Sequence, residues 1–224
     1  TTDATITLSE NNLNEDVSIT GTTDSRVSED GLSGGVADTT GNTDTTDSVN
    51  ASGIITIEDL DDDTLTVSLS GPSTALTANG ETVQWSWDAD TNTLTGYIGT
   101  PNESSYLEVM SVLLTAPAGN SSGDWNYDVT LLAPVTHPDG TTEDNLSVNF
   151  GVNVDDGNGS TTSGNFNVVI EDDAPEANVD DLTTTNSIGT SFGQIDVQGA
   201  DTDYSADLTG NVSGWSNVAG SESY

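Results

Sequence analysis

The run Leu146-Ser147-Val148-Asn149-Phe150-Gly151-Val152-Asn153-Val154 decides the fold. Its apolar residues recur at period two, with small or polar residues between them, the pattern of a strand buried on one face. The turn-forming segment Asp155-Asp156-Gly157-Asn158-Gly159-Ser160 follows, and Phe166, Val168 and Ile170 then resume the alternation. Two alternating runs around a Gly/Asp/Asn turn predict a pair of neighbouring antiparallel strands.

Outward from this pair, Trp125, Tyr127, Val129 and Leu131 alternate cleanly. So do Leu65, Val67 and Leu69, and a short strand is expected over Ile54-Ile55-Thr56-Ile57. Val83, Trp85 and Trp87 share one face, and the turn Asp88-Ala89-Asp90-Thr91-Asn92 leads into a strand from about Leu94 to Ile98, predicting a hairpin. Residues 106–114 read as a central strand or a short helix, which periodicity alone does not separate. Many strands at regular spacing with Gly/Asp/Asn turns indicate an all-β, antiparallel β-sandwich. Pro175 cannot donate to a ladder and is expected to mark the end of the sheet. The expected organisation is an N-terminal strand (Ile6-Thr7-Leu8) and linker over residues 1–26, a β-sandwich over 27–176, and, over 177–224, a partial second β module or a flank packing on the first. A chain that starts inside a pattern at Thr1 and stops in a Ser/Gly-rich run is expected to be a fragment of a longer one.

The charge is as informative as the pattern. The chain has 38 acidic residues against one basic residue, Arg26, a formal net charge of −37. Two unit charges about 10 Å apart in water repel by only about 0.4 kcal/mol. Summed over many pairs, this rivals the roughly 5–15 kcal/mol by which a domain is stable. A folded chain of this composition therefore calls for cations, supplied by bound ions or by high salt. Phosphate recognition needs Lys and Arg, so nucleic acid is excluded as a partner. Cysteine is absent, which excludes disulfides and thiolate metal sites. No run reaches the roughly 20 apolar residues of a membrane span, so direct membrane insertion is not expected, and no signal peptide is visible.

The acids cluster at strand ends. Candidate metal ligands are Glu29, Asp30, Asp59, Asp61, Asp63, Asp88, Asp90, Asp155, Asp156, Asp172, Asp173, Asp201 and Asp203. Adjacent carboxylates on a turn offer several hard oxygens near one point, which suits calcium at about 2.3–2.6 Å with six to eight ligands. The alternative for any one pair is a solvated turn. His137 is the single histidine, so a transition-metal site is not expected. Within Thr136-His137-Pro138-Asp139-Gly140 it reads as a turn residue rather than a general base. Enzymatic activity is not expected: no acid pair stands out as a glycosidase dyad, and no Gly-x-Ser-x-Gly elbow occurs. Trp85 and Trp87 are expected to fill the core, the alternative being an exposed platform for sugar stacking.

Residues 29–177 carry a recognisable set of motifs: Glu29-Asp30-Gly31-Leu32-x-Gly34-Gly35, Trp85-Ser86-Trp87-Asp88-Ala89-Asp90, Asp128-Val129-Thr130-Leu131-Leu132 with His137-Pro138, residues 145–150, and Glu171-Asp172-Asp173-Ala174-Pro175. Together they resemble the repeated Ig-like, cadherin-like modules of giant type I-secreted RTX adhesins of Gram-negative bacteria. The resemblance implies several bound Ca2+ ions within and between modules and an extracellular, cell-surface location. It also implies a structural role in holding ligand-binding domains away from the cell for adhesion and biofilm formation. The partners it implies are neighbouring modules of the same adhesin, with the module itself monomeric. The alternative within the family is a calcium-dependent carbohydrate- or peptide-binding module facing a cell-surface glycan or peptide.

Overall fold

The computed structural model describes residues 14–37, 45–61, 63–138 and 144–173, together with the backbone of 176–179 and 195–198. These residues form strands β1 (Ser18–Thr22), β2 (Ser25–Ser28), β3 (Asn50–Glu58), β4 (Thr66–Ser70), β5 (Thr77–Ala78), β6 (Glu81–Thr82), β7 (Gln84–Asp88), β8 (Thr93–Ile98), β9 (Leu107–Thr115), β10 (Gly123–Leu131), β11 (Asn145–Asp155), β12 (Thr161–Glu171), β13 (Glu176–Val179) and β14 (Ile195–Gln198). The described residues contain no α-helix, only a 3-10 turn at Glu29–Gly31. Residues 106–114 are thus resolved in favour of a strand.

The fold is a β-sandwich. One sheet has the order β1-β3-β10-β9-β8-β7 and the other β2-β12-β11-β4. The decisive alternation is β11, paired with β12 along its whole length so that Phe150 stands opposite Phe166. Val148, Phe150, Val152 and Val154 from β11 and Phe166, Val168 and Ile170 from β12 enter one continuous core. The facing sheet contributes Ile55, Ile57, Trp125, Tyr127, Val129 and Leu131.

An aromatic chain ties the two layers together. Tyr127 packs against Phe166 with centroids 4.2 Å apart, Phe166 stacks on Phe150 at 5.5 Å, and Trp85 meets Phe150 edge-on at 5.1 Å. Trp85 and Trp87, expected to fill the core, pack against it from the edge strand β7 and are only half-buried. Such pairs contribute about 0.5–1.5 kcal/mol each beyond their area burial.

Two features were not legible in the pattern. Residues 14–26 form part of the sandwich rather than a linker beside it: β1 pairs with β3, and Val17 and Val27 are buried. The reason is tertiary. The segment has too few apolar residues to show a period, and the existing sheets supply its partners. The sandwich is also antiparallel everywhere except at β2, which runs parallel to β12 with Ser25–Ser28 beside residues 168–171. The chain crosses between the sheets at Thr23, whose carbonyl accepts a 2.5 Å bond from the Tyr127 hydroxyl. The last strand of the two sheets, β12, ends at Glu171. β13 and β14 pair only with each other, and the strand expected at Ile6-Thr7-Leu8 lies outside the described residues.

Gly53 on β3 lies directly opposite Tyr127 on β10, and a Cβ there would sit 2.2 Å from the tyrosine ring. The aromatic covers the space the glycine leaves. Gly53→Ala is expected to destabilise the fold by about 1–3 kcal/mol through overpacking. Tyr127→Leu should relieve part of that cost, so the double variant is more stable than the two single losses added together. Urea unfolding midpoints of the four proteins check this, and simple additivity would contradict it.

Candidate metal centres

The long strands β3, β11 and β12 run between two poles of the sandwich. At the N-terminal pole β1 begins, β3 ends and β11 turns into β12. At the C-terminal pole β2 and β12 end and β3 and β11 begin. β12 has 11 residues, so the poles are about 33 Å apart at roughly 3.3 Å per residue.

At the N-terminal pole the inward alternation of β3 does not stop with the apolar residues. Ile55, Ile57 and Asp59 occupy successive inward positions, so Asp59 is only 5% exposed, while the next residue, Leu60, is 84% exposed. This inverts the usual preference: a carboxylate faces in and a leucine faces water. The Asp59 backbone is fastened by Ser122, whose hydroxyl accepts from its N–H at 2.7 Å and donates to its carbonyl at 2.8 Å. Neither carboxylate oxygen of Asp59 has a donor in good hydrogen-bond geometry, and the N–H groups of Asp61 and Asp63 offset its burial only in part. Asp61 and Asp63 bring carboxylate oxygens to within 4.8 Å of it and of one another. Burial, and then the neighbouring Asp61, push the Asp59 carboxyl above its ordinary range. Ionised Asp59 therefore opposes folding near neutral pH, and a cation among the three carboxylates removes that opposition. An all-oxygen set of this kind fits a hard cation such as calcium.

Asp155 and Asp156 lie at the same pole but hold the chain instead. Asp156 Oδ1 accepts from the N–H groups of Asn158, Gly159 and Ser160 at 2.8–3.0 Å, and its Oδ2 accepts from Asn14 Nδ2. Burial raises its pKa, but these donors outweigh burial and hold it below the ordinary value. Asp155 accepts from Gly157 N–H. Asn158 in turn donates to Asp63 at 2.5 Å, which links the turn to the carboxylate cluster. Asp88 organises the β7–β8 turn through the N–H groups of Asp90 and Thr91, and both acids of that turn are exposed.

The C-terminal pole gathers Glu29, Asp30, Glu171, Asp172 and Asp173, all buried, with Asp144 beside them. Ser28 caps the 3-10 turn by accepting from Asp30 N–H, which draws Glu29 and Asp30 inside. Val135 N–H donates to Glu29 Oε1 at 2.7 Å, and Val36 N–H to Asp173 Oδ1 at 3.2 Å. Arg26 pairs with Glu171 at 2.5 Å, and Glu171 also accepts from Thr45 and Thr46. His137 is not a solvated turn residue. It is buried with Nδ1 2.7 Å from Asp144 Oδ1 and Nε2 3.4 Å from Glu29 Oε1. Glu29, His137 and Asp172 present one donor atom each within 4.8 Å. Sequence reasoning missed this role because the turn motif around His137 carries no trace of its distant partner Glu29.

The structure thus brings Asp59, Asp61 and Asp63 together at one pole and Glu29, Asp30, Asp172 and Asp173 at the other. Asp88 and Asp90 stand apart on a hairpin, and Asp201 and Asp203 lie outside the described residues. Among the described residues no helix is long and apolar enough to cross a membrane. Comparison of the chain with protein-family models, curated proteins and solved structures gives no match.

Burial lowers the His137 pKa, but Glu29, Asp172 and Asp144 outweigh burial and raise it to about 9 from an ordinary 6.5. A raised histidine pKa adds stability that is fully present below pH 6.5 and lost as pH climbs through 9. With no Lys or Cys in the chain, almost nothing else titrates in that window. With no metal held at this pole, unfolding free energy should fall by an amount on the order of 3 kcal/mol between pH 6 and pH 10. His137→Gln should flatten the profile, and an equally steep fall in that variant would refute the assignment.

Proposed function

We propose that this chain is a calcium-rigidified, non-catalytic structural module of a bacterial cell-surface adhesin, positioning other domains for attachment outside the cell. The observation that carries this reading is Asp59, a nearly buried carboxylate with no well-formed hydrogen bond on either oxygen, beside Asp61 and Asp63. Burying an unpaired carboxylate costs several kcal/mol. A fold keeps such a group in place when a cation completes it, and the chain holds almost no cations of its own. Asp59, Asp61 and Asp63 would hold the ion, whose double positive charge locks the end of β3 to the segment that follows it.

The reading also accounts for the composition. In a compartment poor in calcium, the repulsion among the acids keeps the chain open. At extracellular calcium levels the ions neutralise clusters such as Asp59, Asp61 and Asp63 and the sandwich closes. Leu60, exposed beside the proposed ion, is placed to pack against a neighbouring module. Packing of Trp85 and Trp87 on the core disfavours the sugar-platform alternative.

Extracellular calcium modules bind with Kd of about 10⁻⁴–10⁻³ M. Calcium at ten times Kd adds about 1.4 kcal/mol per site, or roughly 3–6 °C in Tm. Melts with calcium and with chelator at fixed ionic strength should differ by at least that amount. Asp59→Asn should lose one site's increment and melt higher than the parent in chelator. An unchanged Tm on chelation, or full replacement of calcium by potassium chloride, would overturn the reading.

A further inference from the structure

We propose that Glu29, His137 and Asp172 at the C-terminal pole form a binding site for a divalent transition metal of the zinc class, with His137 Nε2 as its nitrogen donor. The proposal is independent of calcium at the opposite pole.

Four observations converge on it. His137 is buried, and its Nε2 faces Glu29 Oε1 at 3.4 Å without a well-formed hydrogen bond. Glu29, His137 and Asp172 each bring one donor atom to within 4.8 Å of the others'. The other ring nitrogen, Nδ1, lies 2.7 Å from Asp144 Oδ1. A carboxylate at Nδ1 holds that nitrogen's proton and raises the basicity of Nε2, so a metal that displaces the Nε2 proton meets an inward-facing lone pair, the usual support for a metal-ligating histidine. Glu29 is fixed by the Val135 N–H at 2.7 Å, so its Oε1 is positioned rather than mobile.

Charge points the same way. Glu29, Asp144 and Asp172 surround one imidazole, and the single arginine of the chain is engaged with Glu171. A proton on His137 supplies one positive charge to this group, whereas a divalent ion supplies two. The donor set then selects the ion. Calcium and magnesium take oxygen ligands, while imidazole combined with carboxylates suits zinc and its neighbours, at about 2.0–2.2 Å. At those bond lengths neighbouring ligands of a tetrahedral ion stand roughly 3.3–3.5 Å apart, and the Nε2–Oε1 separation is 3.4 Å. Three protein donors leave a fourth position for water or for a donor brought by another chain. The two poles thus differ in chemistry: three carboxylates at one, two carboxylates and an imidazole at the other.

The single histidine makes the test unambiguous. In calcium-saturated, 15N-histidine-labelled protein, one equivalent of Zn2+ should shift the Nε2 resonance of the only imidazole while Nδ1 keeps its proton. Calorimetric titration should give a zinc affinity that falls 10–100-fold in Asp144→Asn, where only the supporting carboxylate is lost, and at least as far in Glu29→Gln. Zinc taken up by surface acids alone would leave the imidazole spectrum unmoved at excess zinc and overturn the proposal. So would an unaltered affinity in a folded Asp144→Asn protein.

Discussion

Carboxylates pointing inward at both ends of a small β-sandwich, with almost no positive charge on the chain to meet them, set the terms for this molecule. Where a positive group is available, it is used closely: Arg26 lies on Glu171 and His137 lies between Glu29 and Asp144. Elsewhere, backbone N–H groups substitute for cations, as three of them do at Asp156 Oδ1. Asp59 receives too little of either, and burial and the Asp61 carboxylate outweigh what its own turn supplies. The middle of the sandwich is a conventional apolar core stitched by aromatic contacts. The poles are where its stability remains open to outside conditions.

How much of this was visible in the sequence varies with how local the cause is. β11, β12, β10 and β4 are legible because their inward residues are large and strictly alternating. The turns at Asp88 and Asp155-Asp156 are legible because Asp, Asn and Gly act on their own neighbours. β1 and β2 are not, since Ser, Thr and Gly dominate them and their places are set by β3 and β12. The parallel pairing of β2 is a property of the finished sheet, invisible in four residues.

The candidate site divides along the same line. Asp59 can be anticipated by continuing the Ile55, Ile57 alternation for one more step, which makes the carboxylate an inward residue and Leu60 an outward one. The acids around Glu29 and Asp172 announce themselves by clustering. His137 does not, because what makes it notable is its meeting with Glu29 and Asp144 at a pole built from several chain segments. A turn motif read alone gives the bend and misses the contact.

The parallel pairing of β2 with β12 has a mechanical consequence. Tension applied through the chain before β1 and after β12 pulls these neighbouring strands along their own axes in opposite directions. The bonds between Ser25–Ser28 and residues 168–171 are then loaded in shear and must fail together. An antiparallel pair pulled from one end would unzip bond by bond. The same strands converge on the acidic C-terminal pole, so an ion bound there would sit in line with the load and act as a rivet.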